Sequence, residues 1–390
     1  MMETQRPLRA DYLIFGSPRI EEDEINEVVD SLRSCWLGTG PKVALFERMF
    51  REYVGTQHSH ALNSCTAGLH LSMLVAGVGP GDEVIVPDMT FAATANAVVH
   101  TGATPVFVDV EWPSSNINPA AVDAAVTERT KAIVPVHFAG RPCNMDAIMA
   151  IARKHGLRVI EDCAHAIESV YHGRKCGTIG DMGCFSFYAT KNVTTGEGGM
   201  VTTDREDWAR DLEIWGLHGL SRGAWQRYSD SGYKHYQVVA PGFKYNMMDL
   251  QAAIGIHQLR KVDDWAVRRR EIWARYKEAF ADLPLDLPAP EDPDTTHARH
   301  LFQVLLKLDE VDFTRDEFQE RLHEMNIGTG IHYIGLHLHP YYQERFGFRP
   351  EDFPVSRMIS DRTLSLPLSA KLTEGDVEDV VSAVRIAVLS

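Results

Sequence analysis

Four short apolar runs set the limits on what this chain can become: Glu83-Val84-Ile85-Val86-Pro87, Pro105-Val106-Phe107-Val108-Asp109-Val110, Ala132-Ile133-Val134-Pro135-Val136 and Leu157-Arg158-Val159-Ile160-Glu161-Asp162. None keeps up a polar–apolar alternation, so none has a wet face, and the valine and isoleucine content favours extended chain. Strands buried on both sides require helices over both faces of a sheet. Helical patterns such as Met145 to His155 fall between the runs, so the stretch from about residue 60 to 203 reads as an α/β domain on a largely parallel sheet. Ligands of such sheets gather at the carboxyl ends of the strands, which directs attention to the residues just after each run.

Past Asp249 the pattern becomes helical for a long way, with Val262, Trp265, Ile272, Tyr276 and Phe280 recurring on one face. Beyond it come a strand candidate at Leu301 to Leu306, a helix opened by the capping box Thr314-Arg315-Asp316-Glu317, and a last helix with Val377, Val380, Val381, Val384 and Val388 on one side. These elements predict a large domain over residues 1–255 and a smaller α+β domain over 256–390 that includes the long bridging helix. The N-terminal segment is free to pack on the small domain. Pro288 to Thr296 is the most loop-like stretch, and no internal repeat is visible.

Composition removes several classes of function. Acidic residues outnumber basic ones by 54 to 39, for a net charge of −15, and no Lys/Arg run could track a phosphate backbone, so nucleic acid is not an expected partner. The start, Met1 to Arg9, lacks the apolar core of a signal peptide, and no apolar stretch approaches a membrane span; a cytoplasmic, membrane-free protein is expected. The six cysteines are scattered, which suits reduced thiols better than a disulfide framework or a zinc site.

The chemistry gathers after the strands. Phe185-Ser186-Phe187-Tyr188-Ala189-Thr190-Lys191-Asn192 reads as a buried strand running out to a lysine, and Gly196-Glu197-Gly198-Gly199 follows. A lysine held there can act as an amine nucleophile. Asp162 ends another run and is followed by Cys163-Ala164-His165; a buried carboxylate there could keep a heteroaromatic nitrogen protonated, as pyridoxal phosphate requires. Asn63-Ser64-Cys65-Thr66-Ala67-Gly68-Leu69-His70 leads into a helix whose free N–H groups could cradle a phosphate, and Phe91 could stack on a flat ring. Each element also has an ordinary explanation when taken singly: Asp162 as a helix N-cap beside a core histidine, the Ser64 segment as a capped turn, Ser186 as a strand serine, Phe91 as core. Their convergence on the strand ends of one sheet is what favours the chemical reading.

The order of these motifs resembles the nucleotide-sugar aminotransferases of the DegT type, which have the fold-type I pyridoxal phosphate architecture of aspartate aminotransferase. The resemblance runs from about Phe15 to Pro367 and is carried by Gly38-Thr39-Gly40-Pro41, Ser64 to His70, Gly81-Asp82-Glu83-Val84-Ile85, Glu161 to Ala166, Phe185-Ser186-Phe187 with Lys191-Asn192, Gly196 to Gly199, and Gly242-Phe243-Lys244-Tyr245-Asn246. It implies an α/β fold with a mixed, mostly parallel sheet and a smaller C-terminal α+β domain. It further implies that Lys191 is the Schiff-base and acid/base lysine, that Asp162 pairs with the pyridine nitrogen, and that Phe91 stacks on the ring. Thr66, Ala67 and Ser186 match phosphate-binding positions. Asn246 matches a residue reaching the phosphate from a partner subunit, so a homodimer with shared sites is implied. The expected reaction moves the amino group of L-glutamate, leaving 2-oxoglutarate, onto a nucleotide-linked ketosugar in lipopolysaccharide or other glycan biosynthesis.

Within the family, His165, Leu217-His218-Gly219-Leu220 with Ala224-Trp225, Ala240 to Asn246, and Gly328-Thr329-Gly330-Ile331-His332-Tyr333 are most similar to the enzymes that form UDP-4-amino-4-deoxy-L-arabinose. This favours a UDP-linked 4-ketosugar over a 3-ketosugar, with His165 near the cofactor hydroxyl and His332 and Tyr333 facing the substrate. The histidine-rich run His332 to Tyr342 and the insert Gln226 to Gln237 depart from that pattern. No carboxylate or cysteine completes a metal site at His332, His337 and His339, and none is expected. Lys191 argues against a related subgroup that dehydrates sugars and carries histidine at this position. Lys191 and Asp162 together argue against a non-catalytic sensor. Gly77-Val78-Gly79-Pro80-Gly81 precedes its strand, which argues against a dinucleotide dehydrogenase.

Overall fold

The computed structural model describes residues 9–221 and 236–389. At its centre a seven-stranded sheet runs in the order His58–Leu62, Gly199–Thr203, Met182–Ser186, Arg158–Asp162, Thr130–Ile133, Glu83–Pro87, Thr104–Val108. Five consecutive strands, from Met182–Ser186 to Thr104–Val108, pair in parallel. Gly199–Thr203 is antiparallel to both of its neighbours, so it is the one reversed strand. Glu83–Pro87 is buried at every position, as an unbroken apolar run with helices on both faces should be.

The helix predicted from Met145 to His155 is present over that span, with the Asn144 side chain accepting the Ala147 N–H and Gly156 ending it in the left-handed region. Three predicted strands end early. The run from Phe185 toward Lys191 leaves the sheet after Ser186 and continues to Lys191 as loop and turn. Thr130–Ile133 stops before Val136 because Pro135 has no N–H to give to the ladder, although the Pro135 carbonyl still accepts the Asp162 N–H. Thr104–Val108 likewise stops before Val110, which instead bridges Ile117.

The long helix spans Asp249–Ala279 and buries Val262, Trp265, Ile272 and Tyr276, while Phe280 closes it as a buried cap. Its first residue serves a second helix as well. Gly40, at the start of Pro41–Val54, has no side chain to cap with, and the Asp249 carboxylate accepts the N–H groups of Lys42 and Val43 at 3.1 and 3.0 Å.

Tyr276, Phe280, Phe302 and Phe318 form one continuous core with the last helix, Glu374–Leu389, whose five predicted valines are all buried. A three-stranded antiparallel sheet, Leu285–Asp286, Phe302–Leu306 and Thr363–Leu366, backs this core. The Thr314 capping box forms as read, opening Arg315–Glu324. Leu13 bridges Ile327, and Arg9 pairs with Asp376 at 2.8 Å, tying the N-terminal segment to this lobe. All six cysteines are free, four of them buried. Among the described residues no helix is long and apolar enough to cross a membrane.

Removing the shared cap should be measurable. Asp249→Ala is expected to destabilise the apoprotein by about 0.5–2 kcal/mol, the usual worth of an N-cap, seen as a lower thermal unfolding midpoint. A midpoint equal to that of wild type would show that Asp249 does not hold the Pro41–Val54 helix.

Candidate active site

Because five strands run the same way, their carboxyl ends share one edge of the sheet, and a cavity of about 470 Å³ opens there. Lys191, Asp162, His165, Thr66, Ser186, Phe91, His332 and Tyr333 all line it. Lys191 sits on a tight turn after Met182–Ser186, its N–H bonded to the Tyr188 carbonyl at 2.9 Å. Its amine makes no hydrogen bond among the described residues. Burial brings the amine's pKa down to about 8, opposed by the nearby Cys65 thiol and Asp162 carboxylate.

Asp162 is 5 % exposed, and both its oxygens are engaged: Oδ1 accepts the Ala164 N–H at 3.1 Å, and Oδ2 accepts the Thr94 hydroxyl at 2.9 Å. Since Thr94 spends its proton on the carboxylate, it accepts the Thr90 hydroxyl at 2.8 Å. No helix follows Asp162, and the chain from Cys163 to Ser169 runs in turns, so the N-cap explanation of this residue is set aside. Burial raises the Asp162 pKa, an effect those two donors and Lys191 offset only in part, so the net shift is upward.

The helix Cys65–Val75 begins with Ser64 as N-cap, its hydroxyl accepting the Ala67 N–H at 3.1 Å. Ala67 is buried and lies off the cavity wall, so within one chain the anion-facing donors are at Cys65 and Thr66. Gly199 makes this helix start possible: a Cβ there would strike the backbone of Ser64 and Cys65. Ser186 accepts the Tyr188 N–H at 3.3 Å. Phe91 caps Ala92–His100 with its ring 61 % exposed, 6.0 Å from the Tyr333 ring.

The His165 tautomer follows from its neighbours. Its Nδ1 accepts the Ala139 N–H at 3.2 Å, so its proton is on Nε2 and is given to the Tyr333 hydroxyl at 3.2 Å. Burial, then the charge of Lys191, drives its pKa well below normal. His332 faces the cavity, bonded to Ser365 Oγ at 3.0 Å, with its pKa lowered to about 3 by burial.

Other sequence-level readings land elsewhere. Asn246 does not line this cavity: its Nδ2 donates to Thr39 Oγ1 at 2.7 Å, and it borders a separate cavity of about 280 Å³. His337 is fully buried with its Nδ1 2.7 Å from Asp88, and His339 caps a different helix, so these two do not join His332. Among the described residues the one three-member grouping of metal-type side chains is His137, Glu161 and Cys163. There Glu161 already holds His137 and the N–H groups of Gly177, Ile179 and Gly180. The Ala224-Trp225 pair and nearly all of the Gln226 to Gln237 insert lie outside the described residues.

Sequence reasoning missed Thr90, Thr94, Tyr188 and Glu197, which also line the cavity. Thr90 and Thr94 stand four residues apart across a helix start, a spacing that could have flagged them. The donor set suits pyridoxal phosphate: an amine for the aldehyde, a buried acid for the ring nitrogen, a helix start for the phosphate and an exposed ring for the flat face.

Comparison with known proteins agrees. The chain is 50 % identical over 379 residues to the spore coat polysaccharide biosynthesis protein SpsC of Bacillus subtilis, covering 97 % of each. Its structure matches Spr1654 of Streptococcus pneumoniae in the pyridoxal phosphate form with a TM-score of 0.89 at 33 % identity, covering 97 % of this chain and 99 % of that one. It also matches the aminotransferase TlmJ of Streptoalloteichus hindustanus with a TM-score of 0.88 at 34 % identity, covering 97 % and 99 %. With residues 18–385 matching that family and a cavity equipped for its cofactor, the chain belongs to the DegT/DnrJ/EryC1/StrS aminotransferase family, whose members are pyridoxal phosphate-dependent sugar aminotransferases.

Proposed function

We propose that the protein transfers the amino group of L-glutamate to the C4 keto carbon of a UDP-linked sugar, working as a homodimer. The observation that carries the reading is Lys191: an amine with no hydrogen bond among the described residues, its pKa near 8, in one cavity with a buried carboxylate and a helix start. At pH 7.5 such an amine is about one quarter neutral, against about 0.1 % for an ordinary lysine. The choice of UDP and of C4 rests on the segments Leu217 to Leu220, Ala240 to Asn246 and Gly328 to Tyr333. The name of SpsC supports an aminosugar destined for a polysaccharide.

When bound, pyridoxal phosphate supplies an aldehyde carbon and an electron-poor ring that takes up the electron pair left when the donor's Cα loses its proton. Lys191 would hold the cofactor, and its amine, when free, would take the donor's Cα proton as a base and return a proton as an acid. Asp162 keeps the ring nitrogen protonated, itself held in place by Thr94 and Ala164. The free N–H groups of the Cys65 turn and the hydroxyls of Thr66 and Ser186 hold the phosphate. Phe91 offers a face to the ring. His165, neutral and fixed through Ala139, orients Tyr333, whose hydroxyl accepts the His165 Nε2–H hydrogen bond and is left free to donate its own proton into the cavity. His332 and Tyr333 border the space for the sugar.

Asn246, turned away from its own chain's cavity, is assigned to the partner's phosphate, as Thr66 is to its own. Trp36, Leu37, Val238, Val239 and Met248 are large apolar residues exposed in the single chain, and Trp36 donates to the carbonyl of Thr39, the residue that holds Asn246. A second copy is the natural cover for such a surface.

Three outcomes are expected. Purified protein should carry a visible yellow band that Lys191→Ala abolishes together with turnover, and capture of added pyridoxal phosphate by wild-type apoprotein should speed up as pH rises, with a midpoint near 8. A colourless wild type that stays inactive with added cofactor would end the reading. Co-expressed Lys191→Ala and Asn246→Ala chains, each poorly active alone, should recover activity in hybrid dimers that hold one intact site; no recovery would remove Asn246 from the partner's site. In a glutamate-dependent assay across UDP-, GDP- and dTDP-linked 3-keto and 4-keto sugars, with product mass and amine position determined, a UDP-linked 4-ketosugar should be preferred; preference for a 3-ketosugar would overturn that choice.

A further inference from the structure

Next to Lys191, off the cavity wall, three segments meet at the side chain of Asn192: its own, the turns that hold Glu168, and the stretch with Ala298 and His300. Its Nδ2 donates to the two oxygens of Glu168 at 3.1 and 2.9 Å and to the Ala298 carbonyl at 3.1 Å. Its Oδ1 faces His300 Nδ1 at 3.1 Å. The carboxylate demands a donor, so the amide has only one workable orientation, and His300 must carry its proton on Nδ1. Glu168 is also paired with Arg269, and these two residues are 5 % and 3 % exposed. Glu168 belongs to the turns that carry His165, Arg269 to the Asp249–Ala279 helix, and Ala298 and His300 to the segment that enters the small sheet.

We propose that Asn192 is a positioning residue: with Glu168, Arg269 and His300 it clamps the turn carrying Lys191, so that the amine is presented at a fixed place in the cavity. The proposal rests on the role assigned to Lys191 above. The turn needs such a hold, because Lys191 lies beyond the strand's ladder and its own N–H reaches only Tyr188. The clamp also reaches the cavity wall from the other side. The His300 ring lies 4.4 Å from that of His165, which donates to Tyr333. Through His300 the Asn192 amide links the lysine turn to the histidine that orients Tyr333, and through Glu168 to Arg269 on the bridging helix.

Asn192 is not among the residues that line the cavity, so a change there should act through Lys191. The groups bearing electrostatically on the amine are Cys65, Asp162, His165, His300 and His332. Loosening the turn would let water reach the amine and undo part of its desolvation.

The test compares wild type with Asn192→Ala and with the double variant Glu168→Gln, Arg269→Met, which removes the ion pair without stranding either charge. In apoprotein, the pH midpoint for capture of pyridoxal phosphate should rise from near 8 toward the ordinary lysine range in both variants. In holoprotein, kcat for the half-reaction with L-glutamate should fall by about 100-fold, the usual penalty for a displacement of about 1 Å, with KM changed little. An Asn192→Ala protein with the wild-type midpoint and kcat overturns the clamp. If that variant does not fold, the double variant decides on the same two readouts. A wild type lacking the lysine-linked band would instead overturn the role of Lys191 itself.

Discussion

Desolvation of one amine is the constraint on which the rest of the site depends. A buried ammonium group in a cavity whose wall includes Leu69, Val136 and Tyr333 loses hydration that the protein restores only in part, through Cys65 and Asp162. The shift to about 8 corresponds to a penalty on the order of 3 kcal/mol for the charged form. A surface lysine would escape that penalty by turning outward. Here the Lys191 turn is held between the packed strand before it and Gly198-Gly199 after it, where the Phe187 N–H bonds the Gly198 carbonyl. The penalty therefore lowers the pKa of the amine instead of moving it.

Parallel pairing supplies the second half of the arrangement. Asp162 stands opposite Cys184 in the register between Arg158–Asp162 and Met182–Ser186. Running the same way, the two strands deliver an acid and, a few residues later, a lysine to one edge. An antiparallel pair would have sent them to opposite edges. The reversed strand Gly199–Thr203 carries the chain back, and the absence of a side chain at Gly199 lets the helix starting after Ser64 reach the same edge.

How much of this was legible in the sequence depended on how local each cause was. Strand positions followed from runs of β-branched residues, and the errors came where a single residue decided the end, as at Pro135. Asp162 could be recognised because it ends a buried run, and Lys191 because it follows one within a few residues. Thr94 could not be assigned to Asp162, because the bond between them spans 68 residues and exists only once the sheet brings the start of the Ala92–His100 helix to the end of Arg158–Asp162, with Thr130–Ile133 between their strands. Arg269, Glu168 and His300 were invisible for the same reason: each is an unremarkable residue in its own segment, and their common purpose is a meeting point. Ala67 went the other way. A position implied by resemblance, it directs its N–H to Ser64 in this chain and leaves Cys65 and Thr66 to face the cavity.

The histidines sharpen what the cavity can do. His165, His300 and His332 all lie near Lys191, and an imidazole is normally the side chain that titrates near neutrality. Burial, reinforced by the lysine's charge, holds all three neutral: His332 at about 3, and His165 and His300 well below their usual value. Tyr333 is pushed the opposite way by burial and keeps its proton. The three histidines and the tyrosine are thus fixed as oriented hydrogen-bonding groups, and the lysine amine, lowered into the neutral range from above, is the group poised to exchange a proton there. A cavity lined with imidazoles that do not titrate can carry a proton at one chosen atom without distributing it among its walls, which is what moving a single proton at the donor's Cα requires.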